Sequence, residues 1–250
     1  MGVIGGNIGY RLLRLISPQL KVGGADNIND YPGSKLEALL GAGIWEETRG
    51  KTVIDFGCGP GREALELARQ GAERVIGLEI QAKNLETARR AAQAAGLAAR
   101  CVFGETTEEK ADVILSLDAF EHFSDPAAIL RQMRRLLKDD GCAHISFGPP
   151  WLHPLGGHLF SVFPWAHLLF TEAALLRWRS DFICDGATKF GEVAGGLNQM
   201  TIGCFERLVA ESDFRCVSLE LLPLKKWRLL VNPLTREFFT SLARCRLAPR

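Results

Sequence analysis

The stretch KTVIDFGCGPGREALELARQG, residues 51–71, constrains the chain more than any other. A short apolar run (Val53, Ile54, Phe56) stops at Gly57, Gly59 and Gly61, and a helix-period pattern carrying Leu65, Leu67 and Ala68 follows at once. A strand apolar on successive residues must be covered on both faces, which places it inside a parallel sheet. The glycines let the backbone turn sharply and approach a ligand closely. The helix N-terminus beyond them offers free N–H donors.

The pattern then recurs. RVIGLEI reads as a strand and QAKNLETARRAAQAAG as a helix closed by Gly96. ARCVFGE and ADVILSLD are further strands, DPAAILRQMRRLLKDDG is a helix opened by Asp125 and Pro126, and CAHISFGPP is a strand stopped by two prolines. From Gly148 to about Met200 the rhythm breaks into a segment rich in aromatics, glycine and histidine. A helix (QMTIGCFERLVAESDF) and two strands (RCVSLELLPL and FFTSLARCRLA) close the chain. This alternation predicts an α/β fold with a doubly wound, mostly parallel, seven-stranded sheet and an inserted lid. The expected division is an N-terminal helical cover over 1–50, a cofactor-binding core over 51–148, a substrate lid over 149–200 and the rest of the sheet over 201–250.

A length of 250 residues suits one such domain with an insertion. Thirty basic against 29 acidic side chains leave a net charge of +1, so no global field recruits nucleic acid or an anionic membrane. The basic clusters RQMRR (131–135) and KKWR (225–228) are short and set among acids, and nucleic acid ranks low as a partner. Seven scattered cysteines with no C-x-x-C, and no signal-peptide pattern, predict reduced thiols in a cytoplasmic protein. The apolar stretch near the N-terminus is too short for a membrane span.

Glu79 ends the second strand, where a carboxylate can accept both hydroxyls of a ribose. A dinucleotide fingerprint would need its third glycine at Arg62, whereas this turn runs acidic residue, then G-x-G-x-G. With VIDFGCGPG, GLEI and LLKDDGCAHIS read together, the sequence resembles the class I S-adenosylmethionine-dependent methyltransferases, over residues 50–148 by motif and 198–250 by topology. The resemblance implies a Rossmann-like methyltransferase fold and S-adenosyl-L-methionine as cofactor. It gives Asp55 and the backbone of Gly57, Gly59 and Gly61 the methionine end, and Glu79 the ribose with Ile80 beside it. It puts Glu105 near the adenine amine, although Asp is more usual there, and Asp118 at the cofactor's methyl end. A nicotinamide-dependent oxidoreductase and a cofactor-binding protein without chemistry stand as alternatives.

The fourth strand ends in ILSLDAFEHFSDP, which sets Asp118, Glu121 and His122 at the edge where ligands of open parallel sheets bind. Three readings stay open. The group can simply shape its loop. It can hold a divalent metal, since D-x-x-E-H is similar to the E-x-x-E-H of small-RNA 2′-O-methyltransferases and quinone-biosynthesis O-methyltransferases. The metal set would be Asp118, Glu121, His122 and a histidine of the insertion, where His153, His158 and His167 fall close together and Gly156–Gly157 favour His158. Carboxylate and imidazole ligands suit Mg²⁺, Mn²⁺, Fe²⁺ or Zn²⁺. Without a metal, His122 or His158 can serve as catalytic general base for an N- or C-methyl transfer. His144, inside an apolar strand, and Cys58, inside the glycine turn, read as packed residues.

The insertion crowds Trp151, Leu155, Leu159, Phe160, Phe163, Trp165, Leu168 and Phe170 into one segment. Part of that is lid packing; the remainder suits an enclosed small-molecule substrate with apolar or aromatic surface. O-methylation of such a molecule is the first-ranked function.

Overall fold

The computed structural model describes residues 2–19, 31, 33–193, 195–223 and 231–250; the basic cluster at 225–228 lies outside them. The elements run α1 (Gly6–Ile16), α2 (Lys35–Leu40), α3 (Ile44–Thr48), β1 (Thr52–Phe56), α4 (Arg62–Arg69), β2 (Arg74–Leu78), α5 (Ala82–Ala94), β3 (Cys101–Gly104), β4 (Ala111–Leu117), α6 (Pro126–Leu136) and β5 (Leu137–Phe147). They continue as α7 (Ala166–Leu169), α8 (Glu172–Ser180), α9 (Ile202–Ala210), β6 (Phe214–Pro223), α10 (Arg236–Phe239) and β7 (Thr240–Pro249).

Seven strands form one sheet in the order β3-β2-β1-β4-β5-β7-β6. The pairs from β3 through β5 are parallel, while β7 runs antiparallel to both β5 and β6. The expected mostly parallel, doubly wound sheet is what forms. Strand alternation deals side chains to two cores. Val53, Val75, Val113 and Leu115 meet α2, α3, α4 and α5 on one face. Ile54, Ile76, Ile114 and Ile145 meet α6 and α9 on the other. Asp125 caps α6 by accepting from Ala128 N at 2.9 Å, with Pro126 behind it, as the sequence pattern predicts.

A third core contains no strand. Leu13 of α1 joins Trp151, Phe160, Phe170, Leu175 and Trp178. Gly9 of α1 is buried because a Cβ there would come within 3.2 Å of Ala174 Cβ on α8 and 2.8 Å of Ile4 O. Residues 1–50, expected as one cover, therefore divide: α1 lies on the 149–200 segment, and α2 and α3 lie on the sheet. No helix among the described residues is long and apolar enough to cross a membrane. All seven cysteines are free thiols.

Candidate active site

The glycine turn is built as its sequence requires. Gly57, Gly59 and Gly61 have φ of 81°, 52° and 79°, which side-chain-bearing residues seldom adopt. A Cβ on Gly57 would meet Ala119 Cβ at 2.9 Å, and one on Gly61 would meet Phe103 and Ala88 at 2.8–2.9 Å. A Cβ on Gly59 would meet nothing within 4 Å, so that side of the turn faces open space. Glu79 reaches back across that space: its Oε2 accepts from Gly59 N at 3.1 Å and its Oε1 from Gln81 N at 2.8 Å. Ile80 beside it is 84% exposed, an apolar side chain offered to solvent at the same edge. Glu105 follows β3 and is exposed.

Asp55 ends β1 beneath the turn. It is buried, and its Oδ2 has no hydrogen-bond partner. Burial, with Glu63 nearby, raises its pKa to about 7. An orphaned carboxylate at a strand end, beside open glycine backbone, is what a cationic ligand group would satisfy.

At the end of β4 the backbone turns left-handed at Asp118 (φ 52°). Asp118 N donates to Ser146 O and Oγ, and Ser146 Oγ donates back to Asp118 Oδ1 at 3.0 Å. Asp118 Oδ2 pairs with Lys35 Nζ at 3.2 Å and accepts from Tyr31 Oη at 3.5 Å. Lys35 Nζ also donates to Leu117 O. Asp118 is thus bound to α2 and β5 rather than turned to Glu121 and His122. Neither Tyr31 nor Lys35 carries a local sequence signal for this role; only the topology brings them there.

Glu121 is buried, with Oε1 accepting from Gly148 N at 3.1 Å and Oε2 unpartnered. Burial raises its pKa. The ring of His122 packs edge-on to that of His158, with centroids 5.4 Å apart. His122 Nδ1 bonds Gly196 O at 2.7 Å, which fixes the ring and leaves Nε2 free to act. His158 Nε2 is buried without a partner. Burial and the neighbouring His122 lower the His158 pKa to about 4, so the imidazole is neutral at ordinary pH. The pairing expected from sequence, an insertion histidine against His122, is formed by His158. His153 and His167 are buried in the insertion's own packing; His167 Nε2 donates to Trp151 O at 2.7 Å.

A cavity of about 10 Å³, room for one water or one ion, is lined by Glu121, Trp151, His158, Gln199 and Met200. Two of its lining residues, His158 and Gln199, hold positive φ, a strain of about 1–3 kcal/mol each of the kind that clusters at functional sites. The segment GGLNQM (195–200) locks the far wall. Asn198 Nδ2 donates to Phe120 O and Phe123 O at 2.8 and 2.9 Å, and Asn198 N donates to Glu121 O. Its glycine pair was the one available sequence signal: Gly196 has φ 62° and a Cβ there would meet His122 O at 3.0 Å.

Comparisons with known proteins agree with this architecture. A family profile described as "Methyltransferase domain" matches residues 54–145. Ubiquinone biosynthesis O-methyltransferase of Neisseria meningitidis serogroup C (strain 053442) is 37% identical over 107 residues, which are 40% of this chain and 45% of that protein. The chain thus spans less than half the length of this curated relative. An S-adenosylmethionine-dependent methyltransferase from Mesorhizobium loti superposes with a TM-score of 0.53 at 19% identity, covering 82% of this chain and 93% of that one. Geranyl diphosphate C-methyltransferase from Streptomyces coelicolor A3(2) gives 0.56 at 15% identity, covering 83% and 74%. These two structures share the fold. With the family match, the nicotinamide alternative falls away.

Proposed function

Residues 54–145 matching a methyltransferase-domain profile, we propose that they form a class I S-adenosylmethionine-dependent methyltransferase domain and that the whole chain methylates a hydroxyl of a small molecule with apolar or aromatic surface, held beneath the 149–200 segment. The observation that carries this reading is the pairing of His122 with His158 above the end of β4, beside Glu121, under an aromatic-rich insertion. S-adenosylmethionine supplies a methyl group on a sulfonium, an electrophile that needs only alignment with a nucleophile. In this reading the open glycine turn and Asp55 hold the methionine end, Glu79 accepts the ribose hydroxyls in place of Gly59 N, and exposed Ile80 lies against the adenine with Glu105 near its amine. The curated relative's name, a ubiquinone biosynthesis O-methyltransferase, favours oxygen as the acceptor.

The donor set suits a divalent ion, because Glu121 Oε2 and His158 Nε2 are both buried, unpartnered and on one cavity. Glu121 and His158 would hold it; the ligand atoms of Glu121, His122 and His158 do not all come within 4.8 Å of one another, so His122 is left out. Asp118, committed to Lys35 and Ser146, is left out of that set. Bound there, Mg²⁺, Mn²⁺, Fe²⁺ or Zn²⁺ would polarise the acceptor hydroxyl and lower its pKa. A metal-free version has its own support: His158 Nε2 is neutral and unpartnered, and His122 is oriented through Nδ1. There His158 takes the acceptor's proton as the new bond to carbon forms and the carbon–sulfonium bond breaks, a route equally open to nitrogen or carbon acceptors.

The deciding experiment incubates the protein with S-adenosylmethionine and a panel of phenols, catechols, amines and carbon acids, and follows methylated product by mass spectrometry. Product from hydroxylated aromatics, dependent on His158, is expected. Turnover confined to amines or carbon acids would overturn the O-methyl assignment.

A further inference from the structure

One group of side chains away from the cofactor edge is assembled for chemistry that methyl transfer does not use. Cys142 and His144 stand two apart on β5, so both project from the same face of the sheet, toward α3. There Glu47 Oε1 lies 3.1 Å from Cys142 Sγ, Glu47 Oε2 lies 3.0 Å from His144 Nε2, and Sγ and Nε2 are 3.8 Å apart. Cys142 and His144 are buried, while the partly exposed Glu47 opens the group to solvent. Among the described residues this is the group whose three ligand atoms all fall within 4.8 Å of one another. Arg246, opposite His144 on β7, donates to Glu47 Oε1 at 2.7 Å.

The triangle has the size of a metal site. Zinc bonds of about 2.3 Å to sulfur and about 2.0–2.1 Å to nitrogen and oxygen, at tetrahedral angles, imply ligand–ligand edges of about 3.3–3.6 Å. The Sγ–Nε2 edge of 3.8 Å differs from these by a few tenths of an ångström. Glu47 meets Sγ through Oε1 at 3.1 Å and Nε2 through Oε2 at 3.0 Å, and with one carboxylate oxygen as ligand all three atoms still lie within 4.8 Å of one another. A thiolate with an imidazole selects a thiophilic ion and disfavours Mg²⁺ or Ca²⁺. Arg246 can stay on Oε1 while Oε2 turns to the ion, an outer contact that orients the ligand.

We propose that Glu47, Cys142 and His144 bind one Zn²⁺ ion, with water in the fourth position, and that the ion pins α3 to β5. On binding, the Cys142 S–H bond is replaced by S–Zn and its proton goes to solvent. The imidazole of His144 carries its proton on Nδ1, freeing the Nε2 lone pair. One thiolate and one carboxylate then balance the ion's charge.

The test titrates the purified, metal-stripped full chain with Co²⁺, a spectroscopic stand-in for Zn²⁺, and then with Zn²⁺. Wild type is expected to gain a thiolate-to-cobalt charge-transfer absorption that saturates at one equivalent and is displaced by Zn²⁺. The band should vanish in Cys142→Ser and persist in His158→Gln, since the cavity beside Glu121 is lined by no cysteine. Absence of the band in wild type would overturn the proposal, as would its survival in Cys142→Ser, which would point to the Cys216–Cys245 pair, 3.6 Å apart, as its source. Should Cys142→Ser fail to fold, Glu47→Gln gives the same reading: Zn²⁺ affinity should fall at least tenfold, and an unchanged affinity would count against the site.

Discussion

His122 and His158 face each other edge-on, 5.4 Å between ring centroids, although one lies in the turn after β4 and the other in the 149–200 segment. Only His122 is held by a backbone carbonyl, that of Gly196; the buried Nε2 of His158 has no partner. A neutral, unpartnered imidazole nitrogen beside a fixed one is a reactive arrangement. His158→Gln should lower turnover by about 10²-fold or more, the usual weight of a positioned proton acceptor or ligand. Affinity for S-adenosylmethionine, measured by calorimetry, should change by less than about twofold. Parallel losses in both would place His158 among the cofactor contacts instead.

Chelation separates the two versions of the mechanism. If an ion sits between Glu121 and His158, dialysis against a chelator should abolish turnover, and one of Mg²⁺, Mn²⁺, Fe²⁺ or Zn²⁺ should restore it without altering cofactor affinity. Chelator-resistant turnover in protein shown metal-free by elemental analysis would leave His158 acting as base.

Glu79 bridges Gly59 N and Gln81 N in the free protein, and in the proposed complex those bonds would be exchanged for the ribose hydroxyls. Removing a charge-assisted, two-pronged acceptor costs on the order of 2–3 kcal/mol. Glu79→Ala should therefore weaken cofactor binding by roughly fifty-fold in calorimetric titration. An unchanged dissociation constant would place the ribose elsewhere.

If Asp55 meets the cofactor's cationic end, it should set the pH dependence of binding. Its carboxyl holds a proton up to about pH 7 in the free protein, against about pH 4 in an unfolded chain. A cationic cofactor prefers the carboxylate, so below about pH 7 binding must expel that proton. Affinity should rise with pH across this window, by up to about tenfold per unit, and level off above it. The sign for stability is opposite: the unfolded chain releases the proton first, so the free protein should lose stability as pH rises from about 4 to 7. Asp55→Asn should flatten both profiles, and a pH-independent wild-type affinity would show that Asp55 does not meet the cation.

Asn198 spends both N–H donors on the carbonyls of Phe120 and Phe123. Asn198→Ala leaves those oxygens without that donor and should cost about 1–3 kcal/mol in denaturant unfolding. Turnover should fall further than stability alone explains, because the same segment holds His122 through Gly196. Full activity in a folded variant would show that the wall is not needed to hold the imidazole.

Features fixed by near neighbours were readable in the sequence. The positive-φ glycines, the Asp125 cap and the two-face alternation of the strands each depend on contacts within a few residues, or on period alone. Pairings across the sheet were not. Tyr31 reaches Asp118 across 87 positions, and Asn198 reaches Phe120 across 78. His144, read as merely packed, bonds Glu47 across 97. Asp118 shows the cost of that blindness: its place beside Glu121 and His122 in the chain says nothing of the lysine that claims its carboxylate. The division of residues 1–50 was hidden for a similar reason, since Gly9 carries no pattern announcing which helix will press against it.

The strandless core shared by α1, α7 and α8 should make the proposed roof over the strand ends a cooperative unit in its own right. Its buried side chains, Leu13, Trp151, Phe160, Leu175 and Trp178 among them, cohere with one another and not through the sheet. Such a unit can open below the free energy of global unfolding, and its amide protons then exchange as a block while those of β1, β4 and β5 stay protected. Val3 and Ile4 donate to Leu169 O, and Ile4 bridges Phe170, so the first turn of chain is stitched to this block. A change at the N-terminus would therefore register as a change in how readily the roof lifts, far from any residue that touches the cofactor.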